Sequence, residues 1–191
     1  MTITCGEATI RLLKKYGVNT VFGIPGVHTL DLCRGLYAGE NFGEIQHVQA
    51  RNEQGAGFMA EGWARATGEV GVAIVISGPG VTNASTALGQ CYADSLPMLL
   101  ISAEPNTNTF GKGWGVLHEI TEQKKVTEPI TAFSATAQKP SDIPDFFAKA
   151  FSIFKSQRPR PVHISIPLDV QSQPVVEEWL PIGEIERPSP K

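Results

Sequence analysis

Short apolar runs rich in β-branched residues recur along this chain and predict buried strands. Six segments have this pattern, at residues 18–24, 44–48, 70–76, 97–102, 130–135 and 161–166. The run at 70–76 is nearly continuous rather than alternating, which is typical of a strand in a parallel sheet that is covered on both faces. The pattern therefore predicts a central, buried sheet.

Between these runs, apolar residues recur at three- and four-residue spacing, as in helices with one buried face. The helical segments are 4–16, 29–37, 54–66, 80–94 and 141–154. Their alternation with the strands predicts an α/β fold, a three-layer sandwich with a six-stranded, mostly parallel sheet covered by helices on both faces. Thr4 with Glu7 is a candidate capping box, and Asn52 is a candidate N-cap that places Glu53 in the first turn of its helix.

Two segments lack this periodicity. Residues 104–127 hold Gly111, Gly113 and Gly115 and predict a long functional loop over the carboxyl edge of the sheet. After Asp169 the chain becomes polar and is interrupted by prolines, a composition typical of a linker. We therefore expect a domain over residues 1–172 and a linker over 173–191 that leads toward a missing central domain.

Charge and cysteine content exclude several classes of function. The 191 residues have a formal net charge of −3 and no run of Lys or Arg, so neither nucleic acid nor an anionic membrane is an expected partner. Cys5, Cys33 and Cys91 are widely spaced, which favours reduced thiols in a cytoplasmic protein. We expect no signal peptide, because the first residues are polar and lack a basic region followed by an apolar core, and no membrane span, because no apolar stretch reaches ~18 residues.

The candidate chemistry centres on Glu53 and on the SGPG sequence at residues 77–80. SGPG is not a phosphate-binding P-loop, because no Gly-Lys-Ser/Thr follows it, and Asn83 stands where a dinucleotide fingerprint would need its third glycine. Taken alone, a glutamate in the first turn of a helix, as Glu53 is, more often complements the positive end of the helix than acts as a catalyst. Asn83 is equally explained as a helix cap.

Five motifs in a fixed order change this interpretation. They are GIPG at 23–26, EQGAGFMAEGWARATG at 53–68, SGPGVTN at 77–83, DSLP at 94–97 and RPRPVHISIPLDV at 158–170. Together they resemble the N-terminal, pyrimidine-binding domain of the acetolactate synthase-like thiamine diphosphate enzymes. The resemblance extends from about residue 4 to residue 170.

The resemblance implies a role for each matching residue. Glu53 would be the catalytic glutamate that hydrogen-bonds the aminopyrimidine ring of thiamine diphosphate, so that the cofactor can lose the proton that activates it. Pro79 and Asn83 would line the pyrimidine pocket, and Gly26 with Val27 would approach the thiazolium and the substrate in a partner subunit. The implied substrate is a small 2-oxo acid, and the implied assembly is a homo-oligomer, a dimer or a tetramer.

This chain departs from the acetolactate synthase pattern at two positions. Those enzymes carry His-Glu at the catalytic pair and Phe-Gln-Glu in the following loop, where this chain has Asn52-Glu53 and Leu117-His118-Glu119. His118 is therefore a second candidate catalytic residue, a proton donor suited to a 2-oxo acid decarboxylase, or else a surface histidine without a role. The lyase and transferase alternatives both stay open.

A larger difference is that the motif that binds diphosphate and magnesium in these enzymes is missing from this sequence. No Gly-Asp-Gly followed about twenty-five residues later by Asn occurs, so we predict no metal ligand in this chain and expect Mg²⁺ to be bound by another domain. That domain would be part of the same polypeptide or of a separate partner subunit. A non-catalytic, nucleotide-binding relative and a plain α/β scaffold are the remaining alternatives, and neither accounts for all five motifs.

Overall fold

A computed structural model describes residues 2–37, 43–156 and 158–183. Its strands are β1 Ile3–Thr4, β2 Thr20–Gly23, β3 Gln46–Gln49, β4 Gly71–Val75, β5 Met98–Glu104, β6 Phe133–Thr136, β7 Val162–Pro167 and β8 Pro174–Val175. Strands β2 to β7 form one sheet in the order β3-β2-β4-β5-β7-β6, and every neighbouring pair in it is parallel. All six predicted strands are present within one to three residues of their expected bounds.

Helices connect these strands and cover both faces of the sheet, so the predicted three-layer fold is confirmed. They are α1 Cys5–Lys15, α2 Leu30–Tyr37, α3 Glu53–Thr67, α4 Pro79–Asp94, α5 Gln123–Thr127, α6 Asp142–Phe154 and α7 Leu168–Gln171. The capping box at α1 is observed, with Thr4 and Glu7 each bonding the other's backbone N–H. None of the helices in the described part of the chain is long and apolar enough to cross a bilayer.

The core consists of two layers, one on each side of the sheet. Along β4 and β5, Val72, Ile74, Leu99 and Ile101 face the layer formed with α1, α2 and α6, and the residues between them face the other layer. That second layer is built largely from alanines of α3 and α4. The alternation follows from the two-residue period of side chains along a strand.

Close packing of α3 on α4 determines where the site residues lie. Gly57 of α3 faces Ala87 of α4, and a Cβ at Gly57 would lie only 2.8 Å from the Ala87 Cβ. A glycine at this contact permits a backbone approach that a larger residue would prevent. The two helices begin at Glu53 and Pro79, and their packing places Glu53, the first residue of α3, beside Asn83, the fifth residue of α4.

The two ends of the described domain meet in a small sheet that the sequence pattern did not predict. Strand β1 pairs antiparallel with β8, with Ile3 opposite Val175. Lys15 also donates a hydrogen bond to the carbonyl of Trp179 (3.0 Å). Residues 174–179, which belong to the segment expected to be a linker, therefore pack against the start of the domain. Residues 184–191 of that segment lie outside the described residues.

Candidate active site

Glu53 and Asn83 meet at the carboxyl edge of the sheet. Asn52 caps α3 through its side-chain oxygen, which accepts a hydrogen bond from the Gln54 N–H (2.8 Å), and Glu53 is the first residue of the helix. Asn83 Nδ2 donates to Glu53 Oε2 (2.9 Å). The capping alternative for Asn83 is wrong, because α4 already begins at Pro79 without a side-chain cap. A neutral amide that donates to a carboxylate makes a strong, charge-assisted hydrogen bond that fixes the orientation of Glu53.

The SGPG turn lies between Glu53 and the loop over residues 105–122 that carries His118, which we call the His118 loop. Gly78 has φ +55° and ψ −107°, and a Cβ at this position would lie 2.2 Å from the carbonyl oxygen of His118. Two residues later, a Cβ at Gly80 would lie 3.7 Å from Cγ of Glu53. The turn therefore needs Gly78 for both its conformation and its contact with the loop. It brings the two candidate catalytic residues to opposite sides of one tight turn.

The His118 loop is held in place by Glu119. Its carboxylate accepts hydrogen bonds from the backbone N–H groups of Gly113 (3.1 Å), Gly115 (2.6 Å) and Val116 (3.1 Å). His118 itself has φ +60°, a conformation that is uncommon for a residue other than glycine. Such backbone conformations occur often at functional sites. The carboxylate of Glu119 thus supports the turn that presents the His118 ring.

His28 is a second histidine of the site, and the sequence analysis did not identify it. Its side chain is buried, with Nδ1 2.6 Å from Ser77 Oγ, and its ring meets the His118 ring edge-on at 5.7 Å. Burial lowers the pKa of His28, and the positive charge of a protonated His118 lowers it further. The sequence signal was its position directly after Gly26 and Val27.

The remaining predicted site residues lie around the same edge. A Cβ at Gly26 would lie 2.5 Å from Cγ2 of Ile76, so the 26–28 turn packs directly on the end of β4. Val27 is exposed over 61% of its surface, and Pro79 is also exposed as the first residue of α4. Val27, Pro79 and Asn83 therefore have exposed side chains at this edge, and Glu53 and His118 are partly exposed there.

Helix α7 holds both loops that border the site. The Asp169 carboxylate accepts hydrogen bonds from the N–H (2.9 Å) and hydroxyl (2.5 Å) of Thr107, near the start of the long loop. Gln171, which is fully buried, donates to the carbonyl of His28 (3.0 Å). Helix α7 thus connects the 26–28 turn with the start of the 105–122 loop, through Asp169 of the last motif and Gln171 directly after it.

A buried polar network supports the turn from below. Gln123 accepts a hydrogen bond from the Gly78 N–H (2.7 Å), and its amide nitrogen donates to Ser102, Ala103 and Ser165. His163 contacts hydroxyl groups through both ring nitrogens, and burial lowers its pKa to about 3, so it is neutral at physiological pH. Polar residues at 163 and 165 of a buried strand were the sequence signal for this network.

Comparison with known proteins agrees with this geometry. Residues 3–126 match the family model described as "Thiamine pyrophosphate enzyme, N-terminal TPP binding domain". The chain belongs to this family, and the predicted resemblance is confirmed. Among the described residues, no group of three or more His, Cys, Asp or Glu side chains is placed to hold a metal ion.

Individual relatives include a probable decarboxylase and several acetolactate synthases. The chain is 58% identical over 178 residues to the probable 2-ketoarginine decarboxylase AruI of Pseudomonas aeruginosa, covering 93% of this chain and 31% of that protein. It is 40% identical over 164 residues to acetolactate synthase isozyme 3 large subunit of Escherichia coli, covering 86% of this chain and 28% of that protein. The chain thus spans less than a third of the length of these relatives.

Proposed function

We propose that this chain forms the pyrimidine-binding part of a thiamine diphosphate enzyme that decarboxylates a 2-oxo acid. The observation that supports this most directly is the hydrogen bond from Asn83 to Glu53, beside a turn that also contacts His118. A nucleotide-binding relative or a plain scaffold would not need a carboxylate in this position. Family membership makes thiamine diphosphate the cofactor.

The residues present fit the pyrimidine half of that cofactor. Asn83 occupies Oε2 of Glu53, and no other side chain or backbone group in the described residues hydrogen-bonds this carboxylate. Oε1 can therefore accept a hydrogen bond from a protonated ring nitrogen. Gly80 lets the start of α4 pack closely beside this carboxylate: a Cβ there would lie 2.9 Å from Cγ1 of Ile76 and 3.7 Å from Cγ of Glu53. The available Oε1 suits a flat heterocycle whose protonated ring nitrogen comes close to the carboxylate.

Each residue has a distinct part in this proposal. Glu53 holds the proton of the aminopyrimidine ring, Pro79 and Asn83 line the pocket, and Gly26 with Val27 approach the thiazolium and the substrate. When bound, thiamine diphosphate supplies the electron sink that a 2-oxo acid needs to lose CO₂. Mg²⁺ would be held with the diphosphate by a domain outside these residues.

The histidine pair favours decarboxylation over carboligation. His118 and His28 are adjacent imidazole rings at the edge where substrate would lie, and imidazole is the side chain that most often transfers protons in enzymes. A decarboxylase must protonate a carbanion after CO₂ has left, which is a task for such a group. The relative at 58% identity is named as a 2-ketoarginine decarboxylase, and we propose the same substrate for the complete enzyme.

We also propose that the enzyme works as a cytoplasmic homo-oligomer, a dimer or a tetramer. Val27 and Leu117 are exposed apolar side chains beside the site, and Phe58 is exposed on α3. Exposed apolar residues near a shared cofactor site suit contact with another domain or subunit. Light scattering of the complete enzyme would measure its oligomeric state.

Replacing His118 tests the decarboxylase assignment. In the complete enzyme, His118→Ala should lower kcat for 2-oxo acid decarboxylation by about 100-fold, the lower end for a lost acid-base group, since His28 remains nearby. Cofactor affinity, followed by fluorescence titration, should change little, because Glu53 and Asn83 are untouched. Unchanged kcat, or acetolactate as the main product from pyruvate, would contradict the assignment.

The 191-residue chain alone should bind Mg²⁺-thiamine diphosphate weakly. The charged end of the cofactor would find no metal ligands of the expected motif, although the pyrimidine contacts are present. Isothermal titration calorimetry with Mg²⁺-thiamine diphosphate, performed once on the chain alone and once on the complete enzyme, measures the difference in affinity. Tight, metal-dependent binding by the chain alone would show that the diphosphate site lies here after all.

A further inference from the structure

A cavity of about 260 Å³ adjoins the His118 loop at the carboxyl ends of β5 and β6. Its lining includes Glu104 from the end of β5, and Phe110 and His118 from the long loop. Drug-sized ligands occupy pockets of roughly 300–1,000 Å³, so this space suits the side chain of a small metabolite. The Glu53–Asn83 pair does not line this cavity.

Glu104 is the distinctive group in the cavity. It is the last residue of β5, only 9% exposed, and its Oε2 accepts one hydrogen bond, from the Thr136 hydroxyl (3.0 Å). No lysine, arginine or histidine of the described residues forms an ion pair with it. Buried carboxylates normally have a cationic partner, because burial of an unpaired charge is costly.

The other two carboxylates that line the cavity have partners within the protein. Glu119 is occupied by three backbone N–H groups, and Glu122 pairs with Lys125 (2.6 Å). Lys124 lines the cavity but lies outside ion-pair distance of Glu104. Burial raises the pKa of Glu104 to about 6; the Thr136 hydrogen bond opposes this rise, Glu122 adds to it and Lys124 opposes it.

We propose that this cavity is the substrate side-chain subsite, in which Glu104 binds the cationic guanidinium end of a 2-oxo acid. The 2-oxo carboxylate end would remain beside His118, where the reaction occurs. A guanidinium offers several N–H donors in a plane and matches a carboxylate in geometry as well as in charge. The ring of Phe110 provides an apolar wall for the methylene chain of such a substrate. This inference rests on the proposed decarboxylase function and adds the residue that selects the substrate.

The test compares two substrates that differ only in charge. The complete enzyme is assayed with 5-guanidino-2-oxopentanoate (2-ketoarginine) and with its neutral 5-ureido analogue. For Glu104→Gln, kcat/KM on the guanidino substrate should fall by about 10- to 100-fold, as expected for loss of a hydrogen bond between charged groups. The same variant should change kcat/KM on the ureido substrate by less than about 3-fold, because neutral hydrogen bonds contribute less.

A matched control and a direct binding measurement accompany the kinetics. Glu128→Gln removes an exposed carboxylate just after α5, away from the cavity lining, and should leave both substrates unaffected. Ligand-observed NMR with propylguanidinium and propylurea should show preferential binding of the cation by the wild-type enzyme and loss of that preference in Glu104→Gln.

The outcomes separate the subsite from the reaction. If the wild-type enzyme decarboxylates neither substrate, the proposed substrate, 2-ketoarginine, is wrong. The NMR experiment alone then decides whether the cavity binds a cation. If wild type prefers the guanidino substrate and Glu104→Gln keeps that preference, the subsite is overturned while the decarboxylase proposal stands. If propylguanidinium does not bind wild type, the cavity is filled by another part of the enzyme and the subsite is likewise overturned.

Discussion

In the complete enzyme, Glu53→Gln should reduce turnover by about 10³-fold or more, within the range of roughly 10²–10⁴ typical of acid-base groups. Glutamine has nearly the same shape as glutamate and can keep a hydrogen bond with Asn83, so the helices should pack unchanged. It has no negative charge, however, and cannot hold the proton of a protonated ring nitrogen. Steady-state decarboxylation and the rate of hydrogen–deuterium exchange at the C2 position of bound cofactor would both show the loss.

Glu61→Gln is a suitable control for this substitution. Glu61 is on the same helix but pairs with Arg65 one turn later, away from the site. The Glu61 side chain is only 12% exposed, and Arg65 keeps its second partner, Asp94, when the charge at position 61 is removed, so turnover should be unchanged. If Glu53→Gln and Glu61→Gln gave the same near-wild-type rates, Glu53 would be only an end charge of α3.

Gly78→Ala should damage both the fold and the site. Alanine is strained at φ +55° and ψ −107°, and its Cβ would overlap the carbonyl oxygen of His118 at 2.2 Å. Backbone strain and overpacking together should lower the free energy of unfolding by roughly 2–5 kcal/mol. Turnover should also fall, because relief of the overlap must displace the His118 loop or the turn beside Glu53. Urea denaturation followed by circular dichroism gives the first quantity and steady-state kinetics the second.

Gly89→Ala is a control for which the expected change in stability has the opposite sign. Gly89 lies on α4 with no atom within 4 Å of an added Cβ, and its backbone is helical. Alanine there should stabilise the protein by up to about 1 kcal/mol, since glycine is a poor helix former. If Gly78→Ala were as stable and active as Gly89→Ala, the contact between the turn and the His118 loop would not matter for function.

The sheet was predictable because its signal is local. Residues 70–76 form a nearly continuous apolar run, which is typical of a strand covered on both faces. Asn52 and Gly68 mark the two ends of the preceding helix, α3. The short elements β1, β8, α5 and α7 were not predictable in this way. Two to five residues are too few for periodicity, and these elements depend on tertiary partners such as Ile3 with Val175.

The residues of the candidate site likewise fall into those that the sequence identified and those that only tertiary contacts reveal. Glu53, Asn83 and the SGPG turn belong to motifs, so the resemblance identified them before any geometry was known. The bond between Glu53 and Asn83 joins residues thirty positions apart, and it exists only because α3 and α4 pack closely. Glu104, Gln123 and His28 follow no motif of their own, and their environment arises from burial against residues far along the chain.

The two anchors of α7 affect what it costs to bind a ligand. Asp169 holds Thr107 and Gln171 holds His28, so both loops that border the site are already restricted when the domain folds. Each residue of a free loop would lose about 1–2 kcal/mol of conformational entropy, as TΔS, on becoming ordered. Because that loss occurs on folding, it need not be subtracted from the affinity for cofactor or substrate. A four-residue helix thereby transfers an entropic cost of recognition from the binding step to the folding step.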